Sequence, residues 1–270
     1  MGRIIAVANQ KGGVGKTTTA VNLAAALAVA EKKTLLIDID PQGNATSGTG
    51  ISKHEVPSSI YHVIIGEKTL AEVIRPTAIP SLSVAPSNIH LVGAELELVN
   101  LAERETRLRD ALAPYVDSYD YLIIDCPPSL GLLTVNALTA AGSVLIPLQC
   151  EYYALEGLSE LMNTVSLIRN SLNERLAIEG ILLTMYTART NLTKQVEDEI
   201  RAHFPSQVFR TIIPRNVRLS EAPSFGQPVI LYDIRSKGAE SYLQLAEEII
   251  AHDQESPGTG SARPDPPETV

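Results

Sequence analysis

A mostly parallel, twisted sheet flanked by helices on both faces, an α/β fold, is what this 270-residue chain predicts. Three observations point to it. Short apolar runs alternate with helical stretches along most of the chain, the order that βαβ units produce. The first unit places a glycine-rich loop between its strand and its helix. Later apolar runs close on aspartate, and ligands of open α/β sheets sit beyond the carboxyl ends of the strands.

Taken in order, residues 3–9 (RIIAVAN) are apolar and β-branched, suited to a buried strand, and residues 18–30 form an alanine-rich, nearly all-apolar helix. Strand, loop and helix in that order, with the loop reading KGGVGKTT, give the P-loop NTPase fold. Further strands are expected at 34–39, 82–85, 121–124, 144–148, 178–185 and 208–213, with the clearest helices at 155–172, 192–203 and 239–251. No internal repeat or interdomain linker interrupts them, so residues 1–252 are read as one domain. Residues 253–270 (DQESPGTGSARPDPPETV) carry too few apolar side chains to offset ordering entropy and are read as a disordered acidic tail rich in Pro and Gly.

The loop itself, residues 9–19, reads NQKGGVGKTTT. An ordinary phosphate loop, G-x-x-x-x-G-K-[ST], asks for glycine where Gln10 stands, and Lys11 is an extra charge. Through Gly12, Gly13, Val14 and Gly15 the backbone N–H groups can converge on phosphate oxygens. Lys16 supplies a point charge to the β and γ groups, the Thr17 hydroxyl can bind magnesium, and the helix opening at Thr18 adds its positive end. A glycine turn with accidental lysines would not carry the right strand on one side and the right helix on the other.

Two segments bring carboxylates to the same edge. LLIDIDPQGNATS (35–47) delivers Asp38 and Asp40, and LIIDCPPSLG (122–131) delivers Asp125. A hydrophobic run ending in Asp has the Walker B form, whose carboxylate holds magnesium, usually through water. Asp125 suits that role. Asp40 opens a Pro-Gln-Gly-Asn turn and could position an attacking water. A single such Asp is most often a cap or turn residue, but three beside a phosphate loop favour chemistry.

Composition narrows the remaining classes. The hydrophobic fraction is 44% with aromatics at 4% and no Trp, so the core is built from Leu, Ile, Val and Ala. A net charge of −9 argues against a protein coated with nucleic-acid-binding charge. Cys126 and Cys150 form no disulfide framework, no basic-apolar leader is read at the N-terminus, and no apolar stretch approaches a membrane span. A soluble intracellular protein is expected. His54, His62, His90, His203 and His252 are scattered without metal-ligand spacing.

The segments KGGVGKTTT, DIDPQGNATSG, DCPPSLGLLTVNAL, QCEYYALEGL and IPRNVRLSEAPSFG together resemble the ParA/Soj family of chromosome- and plasmid-partitioning ATPases, over roughly residues 1–250. The loop alone is shared with MinD and the nitrogenase iron protein; the other segments narrow the match. The resemblance implies that Lys11 is a signature lysine reaching the partner subunit's phosphates across a nucleotide-sandwich homodimer, with Gly12 allowing the close approach. It implies Lys16 and Thr17 as phosphate lysine and magnesium ligand. Asp40 would activate water, Asp38 would be its partner in the first switch, and Asp125 would open the second. Pro214 and Asn216 would line adenine and ribose, and Arg189 and Arg218 would bind double-stranded DNA without reading sequence. ATP and Mg2+ are the implied cofactors. A ParB-type protein is the implied stimulator, with the replication initiator DnaA a partner in some members, and the location is cytoplasmic and nucleoid-associated.

Three other readings separate on sequence. A MinD-like membrane ATPase would carry a C-terminal amphipathic helix with a basic face, where this chain ends in acid and proline. An iron–sulfur reductase would use two cysteines per subunit, and here Cys126 and Cys150 end different strands without a Cys-x-x-Cys. An ATP-clamped DNA-binding module with incidental hydrolysis would not need Lys11, Asp40 and Asp125 all intact. Charge alone does not mark a DNA face, since bases between Met185 and Glu240 only slightly outnumber acids.

Overall fold

The computed structural model describes residues 2–151, 154–188 and 191–255, omitting the side chain of 255. Its centre is a seven-stranded sheet: β1 (Arg3–Val7), β2 (Thr34–Asp38), β3 (Arg75–Pro76), β4 (Leu82–Ala85), β5 (Tyr121–Asp125), β6 (Ser143–Gln149) and β7 (Ala177–Thr184). The spatial order is β3-β4-β2-β5-β1-β6-β7. All pairs are parallel except β3 on β4, a two-residue edge where Pro76 is tolerated.

The helices follow as α1 (Lys16–Val29), α2 (Asn44–Gly48), α3 (Ile60–Ile64), α4 (Leu70–Val73), α5 (Leu91–Leu98) and α6 (Arg107–Leu112). Then come α7 (Leu132–Ala140), α8 (Ala154–Ser171), α9 (Asn191–His203), α10 (Val217–Glu221), α11 (Val229–Tyr232) and α12 (Lys237–Glu255). The two-residue period of β1 shows how they cover the sheet. Ala6 and Ala8 join the core beneath α3 to α9, while Ile5 and Val7 join the core beneath α1 and α10 to α12. Alanine on α1 lets that helix sink until Ala20 to Ala28 are buried on nearly every side, against β5 and α12.

The expected strand at 208–213 does not form. Val208 and Pro214 make isolated parallel bridges with Ile181 and Tyr186. Between them the Arg210 and Thr211 N–H groups donate instead to the Glu248 carboxylate of α12, at 2.9 and 3.0 Å. The Phe209 and Ile213 N–H groups still donate to the Ile181 and Leu183 carbonyls of β7, so the segment runs beside β7 without closing a continuous ladder. The segment still packs, because Gly180 of β7 leaves room for the Phe209 ring, whose nearest atom would lie 2.5 Å from a Cβ built there. Gly180→Ala is therefore expected to cost about 1–3 kcal/mol, lowering the apparent melting temperature by several degrees in a calorimetric scan.

The last helix also outruns its expected end. Residues 253–255, assigned by sequence to the tail, belong to α12. Asp253 accepts from Arg3 and, at 2.6 Å, from the Tyr121 hydroxyl, so its charge is matched where composition alone suggested a solvated acid. The rest of the expected tail, 256–270, lies outside the described residues.

Candidate active site

Parallel register sets three chain segments level at one edge of the sheet. Val7, where β1 leaves for the glycine loop, is the Cα partner of Asp125, and Asp125 is in turn the partner of Asp38. The loop is anchored from two further strands. Asn9 Nδ2 donates to the Pro147 carbonyl of β6 at 2.8 Å, and Thr184 Oγ1, at the end of β7, donates to the Val14 carbonyl at 2.8 Å.

Gly13 and Gly15 have φ of 76° and 88°, the left-handed region where a Cβ is strained. Gly12 is different. Its φ is not positive, and a Cβ built on it would meet nothing within 4 Å. Among the described residues, none crowds a side chain at this position. A Cβ on Gly13 would likewise meet no described atom within 4 Å. Thr17 and Thr18 follow in the first turn of α1, the Thr18 carbonyl accepting from Asn22 Nδ2.

The two loop lysines face opposite ways. Lys16 is 7% exposed and its Nζ donates back to the Lys11 carbonyl at 3.0 Å. Burial lowers its pKa, opposed by Asp125, Cys126 and Asp40. Lys11 projects outward and pairs with Glu151 at 2.6 Å, both side chains substantially exposed. A pair so open to water contributes at most about 1 kcal/mol and breaks readily.

Asp38 is fully buried and well held. One oxygen accepts from the Asp40 N–H at 3.1 Å, the other from Thr46 N–H and Oγ1 at 2.8 and 2.7 Å. Burial nevertheless lifts its pKa to about 6, the Thr46 bonds opposing. Asp40 Oδ1 accepts from the Gln42 N–H at 2.8 Å, the turn its Pro-Gln-Gly-Asn context predicts, and its carbonyl accepts from Ser87 Oγ.

Asp125 is also fully buried, yet neither oxygen accepts a hydrogen bond of ordinary geometry from a described residue. Its pKa is raised well above the carboxylate range by burial first and by Asp38 next, with Thr17 and Lys16 favouring the charged form. Two orphaned carboxylate oxygens beside the Thr17 hydroxyl are oxygen donors that fit a hard divalent cation, while the Lys16 ammonium is a separate positive charge next to them.

This arrangement has a pH consequence. A folded-state pKa above the unfolded value means that stability is greatest when the group is protonated and is lost as pH rises through the raised value, near 6 for Asp38. Asp125→Asn removes the charge at Asp125. Without nucleotide or metal, it is expected to be more stable than the parent at pH 8 by about 1–3 kcal/mol, a gain that shrinks towards pH 5. Melting temperatures across pH check this, and magnesium with nucleotide should reverse the order.

The remaining expected site residues divide. Pro214 bridges to Tyr186, two residues beyond the loop-anchoring Thr184, so it lies at the same edge. Asn216 caps α10, its side-chain oxygen accepting from Arg218 N–H at 2.9 Å. Arg218 is half-exposed and ion-paired to Glu221 at 2.7 Å and Asp233 at 3.2 Å. Arg189 lies outside the described residues. Cys126 and Cys150 are buried in the core, and burial pushes both thiols up, Cys150 to about 11. Sequence reasoning passed over Thr46, Ser87 and Glu151. Ser87 and Glu151 follow β4 and β6, so the rule that ligands gather beyond strand ends could have found them.

A family model described as an AAA domain matches residues 2–178. The chain is 60% identical over 253 residues to the chromosome partitioning protein ParA of Myxococcus xanthus, covering 94% of this chain and 89% of that one. It is also 60% identical over 252 residues to the sporulation initiation inhibitor protein Soj of Bacillus subtilis, covering 93% and 100%. Among solved structures, cobyrinic acid a,c-diamide synthase from Mycobacterium smegmatis with bound ADP and magnesium aligns with a TM-score of 0.84 at 36% identity, covering 98% and 100%.

Proposed function

Because the chain belongs to the ParA/Soj family of the MinD/ParA superfamily, we propose that this partitioning ATPase works as a nucleotide-timed grip on DNA. ATP joins two copies, the pair holds double-stranded DNA without sequence preference, and hydrolysis releases it. The single observation that carries this reading is the opposed pair of loop lysines. Lys16 turns into its own subunit and Lys11 turns out of it, so only Lys11 is free to serve a second copy once its exposed contact with Glu151 breaks. Gly12, unconstrained within the subunit, leaves the space such an approach needs.

Thr17 and Asp125 are the residues that would hold magnesium, with Asp38 beside them. When bound, the ion neutralises phosphate-oxygen charge. Gly12 to Gly15 and the N-terminus of α1 orient the phosphates, Lys16 adds charge to them, and Asp40 positions the attacking water. Lys11, supplied by the other copy, completes charge neutralisation as an arginine finger would, which couples turnover to dimerisation. Pro214 and Asn216 line the base and ribose. A ParB-type protein is the stimulator of an otherwise slow turnover, in a cytoplasmic, nucleoid-associated setting, and DnaA is a further candidate partner. Support for nucleotide and magnesium comes from the related synthase that binds ADP and magnesium.

The deciding experiment measures DNA binding with ATP, ADP and no nucleotide. Arg189 and Arg218 from two subunits make about four phosphate contacts, so log affinity should fall against log salt with a slope of about −3.6 in the ATP state. Equal binding in every nucleotide state, or a slope near zero, contradicts the reading. ATP-dependent co-sedimentation with liposomes would favour a membrane ATPase instead. No phosphate release even with DNA and partner present would favour a clamp.

A further inference from the structure

The stretch that leads to Pro214 and Asn216 is fastened to β7 on both sides and to α12 in between. The Phe209 N–H donates to the Ile181 carbonyl at 3.0 Å, and further on Ile213 N–H donates to Leu183 at 2.9 Å and Arg215 N–H to Tyr186 at 3.1 Å. Between these anchors the consecutive N–H groups of Arg210 and Thr211 meet the two oxygens of Glu248, Oε1 at 2.9 Å and Oε2 at 3.0 Å. A carboxylate that takes two neighbouring amides fixes the orientation of their peptide planes as well as their distance. The same helix reaches the phosphate end of the site. The Tyr242 hydroxyl of α12 lies 3.1 Å from the Thr19 hydroxyl in the core, and Thr19 stands in the first turn of α1 behind Thr17.

We infer that Glu248 is a positioning residue for the nucleoside: through this clip, α12 sets where Pro214 and Asn216 stand relative to the glycine loop. The inference rests on the reading that those two residues line base and ribose. Phosphate binding does not depend on the clip, because the loop is anchored separately by Asn9 on Pro147 and by Thr184 on Val14. Base binding does, because a misplacement of about 1 Å caused far from the bound group can cost up to about 10²-fold. Removing the carboxylate should loosen the stretch without unfolding it. Arg210 is exposed and Thr211 half-buried, so water can satisfy the released N–H groups.

Calorimetry on the full chain with magnesium compares ADP, which carries the base, with inorganic pyrophosphate, which does not. Glu248→Ala is expected to weaken ADP about tenfold and pyrophosphate by less than about twofold, with KM for ATP rising and kcat nearly unchanged. Glu248→Gln keeps one acceptor oxygen and should recover part of the loss, to about threefold. Asp253→Asn loosens the far end of α12, where Arg3 and Tyr121 bond, and serves as the structural control: it should lower the melting temperature and leave the ratio of the two affinities at the parent value. The inference is overturned if Glu248→Ala leaves ADP unchanged, if pyrophosphate weakens as much as ADP, or if Asp253→Asn shifts the ratio equally. Asn216→Ala tells the two readings apart. If it weakens ADP while Glu248→Ala does not, the clip alone falls; if neither variant changes ADP, the base-lining reading falls with it.

Discussion

Lys11→Ala is expected to lower ATP hydrolysis by about three orders of magnitude or more, the scale of removing an arginine finger. It should leave folding almost untouched. Among the described residues the side chain pairs with Glu151 in an exposed contact, and the loop is held by Asn9, Thr184 and Lys16. Light scattering with a non-cleavable triphosphate should show the parent as a dimer and the variant as a monomer, and ATP-dependent DNA binding should vanish with the dimer. Nucleotide affinity of the monomer should change little, because Lys16 and the glycine cradle remain. A variant that hydrolyses normally, or that stays dimeric and active, would refute a lysine shared between copies.

Asp40→Ala is expected to lower hydrolysis by about 10²–10⁴-fold, the usual range for a group that positions or activates water. Its other effects should be opposite in sense to those of Lys11→Ala. Dimerisation and DNA binding persist, and DNA chased with competitor leaves far more slowly in ATP than from the parent. The local cost is the bond from the Gln42 N–H. Asp38 keeps both Thr46 bonds, so the chain still folds.

The two variants together make a sharper test. In a mixed dimer, the site on the Lys11→Ala subunit keeps its own Asp40 and borrows Lys11 from the Asp40→Ala copy. That site is complete, and the other lacks both groups. Mixing two inactive proteins should therefore restore hydrolysis, up to one working site per mixed dimer. Single-turnover phosphate release reads this directly, and no recovery would place Lys11 in its own subunit's site.

The glycine loop, its strand and helix, and the acids closing β2 and β5 were legible in the sequence because each rests on local rules. Left-handed turns call for Gly13 and Gly15, buried parallel strands call for continuous apolar runs, and polar residues at their ends fall on the ligand edge. Helix ends were less legible because distant groups set them, as when Arg3 and Tyr121 hold Asp253 within α12. Residues 208–213 show the same limit more strongly. Their β-branched pattern was real, and Phe209 and Ile213 do bond to β7, but the Glu248 carboxylate, far along the chain, took the Arg210 and Thr211 donors between them. Propensity yields where tertiary contacts offer a competing partner.

At the site, sequence by itself determined which chemical groups stand at the glycine-loop edge: two lysines, threonine and three aspartates. Only the tertiary structure decided their states. It turned Lys16 inward and Lys11 outward, satisfied Asp38 through Thr46, and buried Asp125 with no hydrogen bond of ordinary geometry from a described residue. The reason is physical. A residue's identity and local geometry are written in its neighbours along the chain, whereas desolvation and hydrogen-bond satisfaction depend on atoms that only folding brings near.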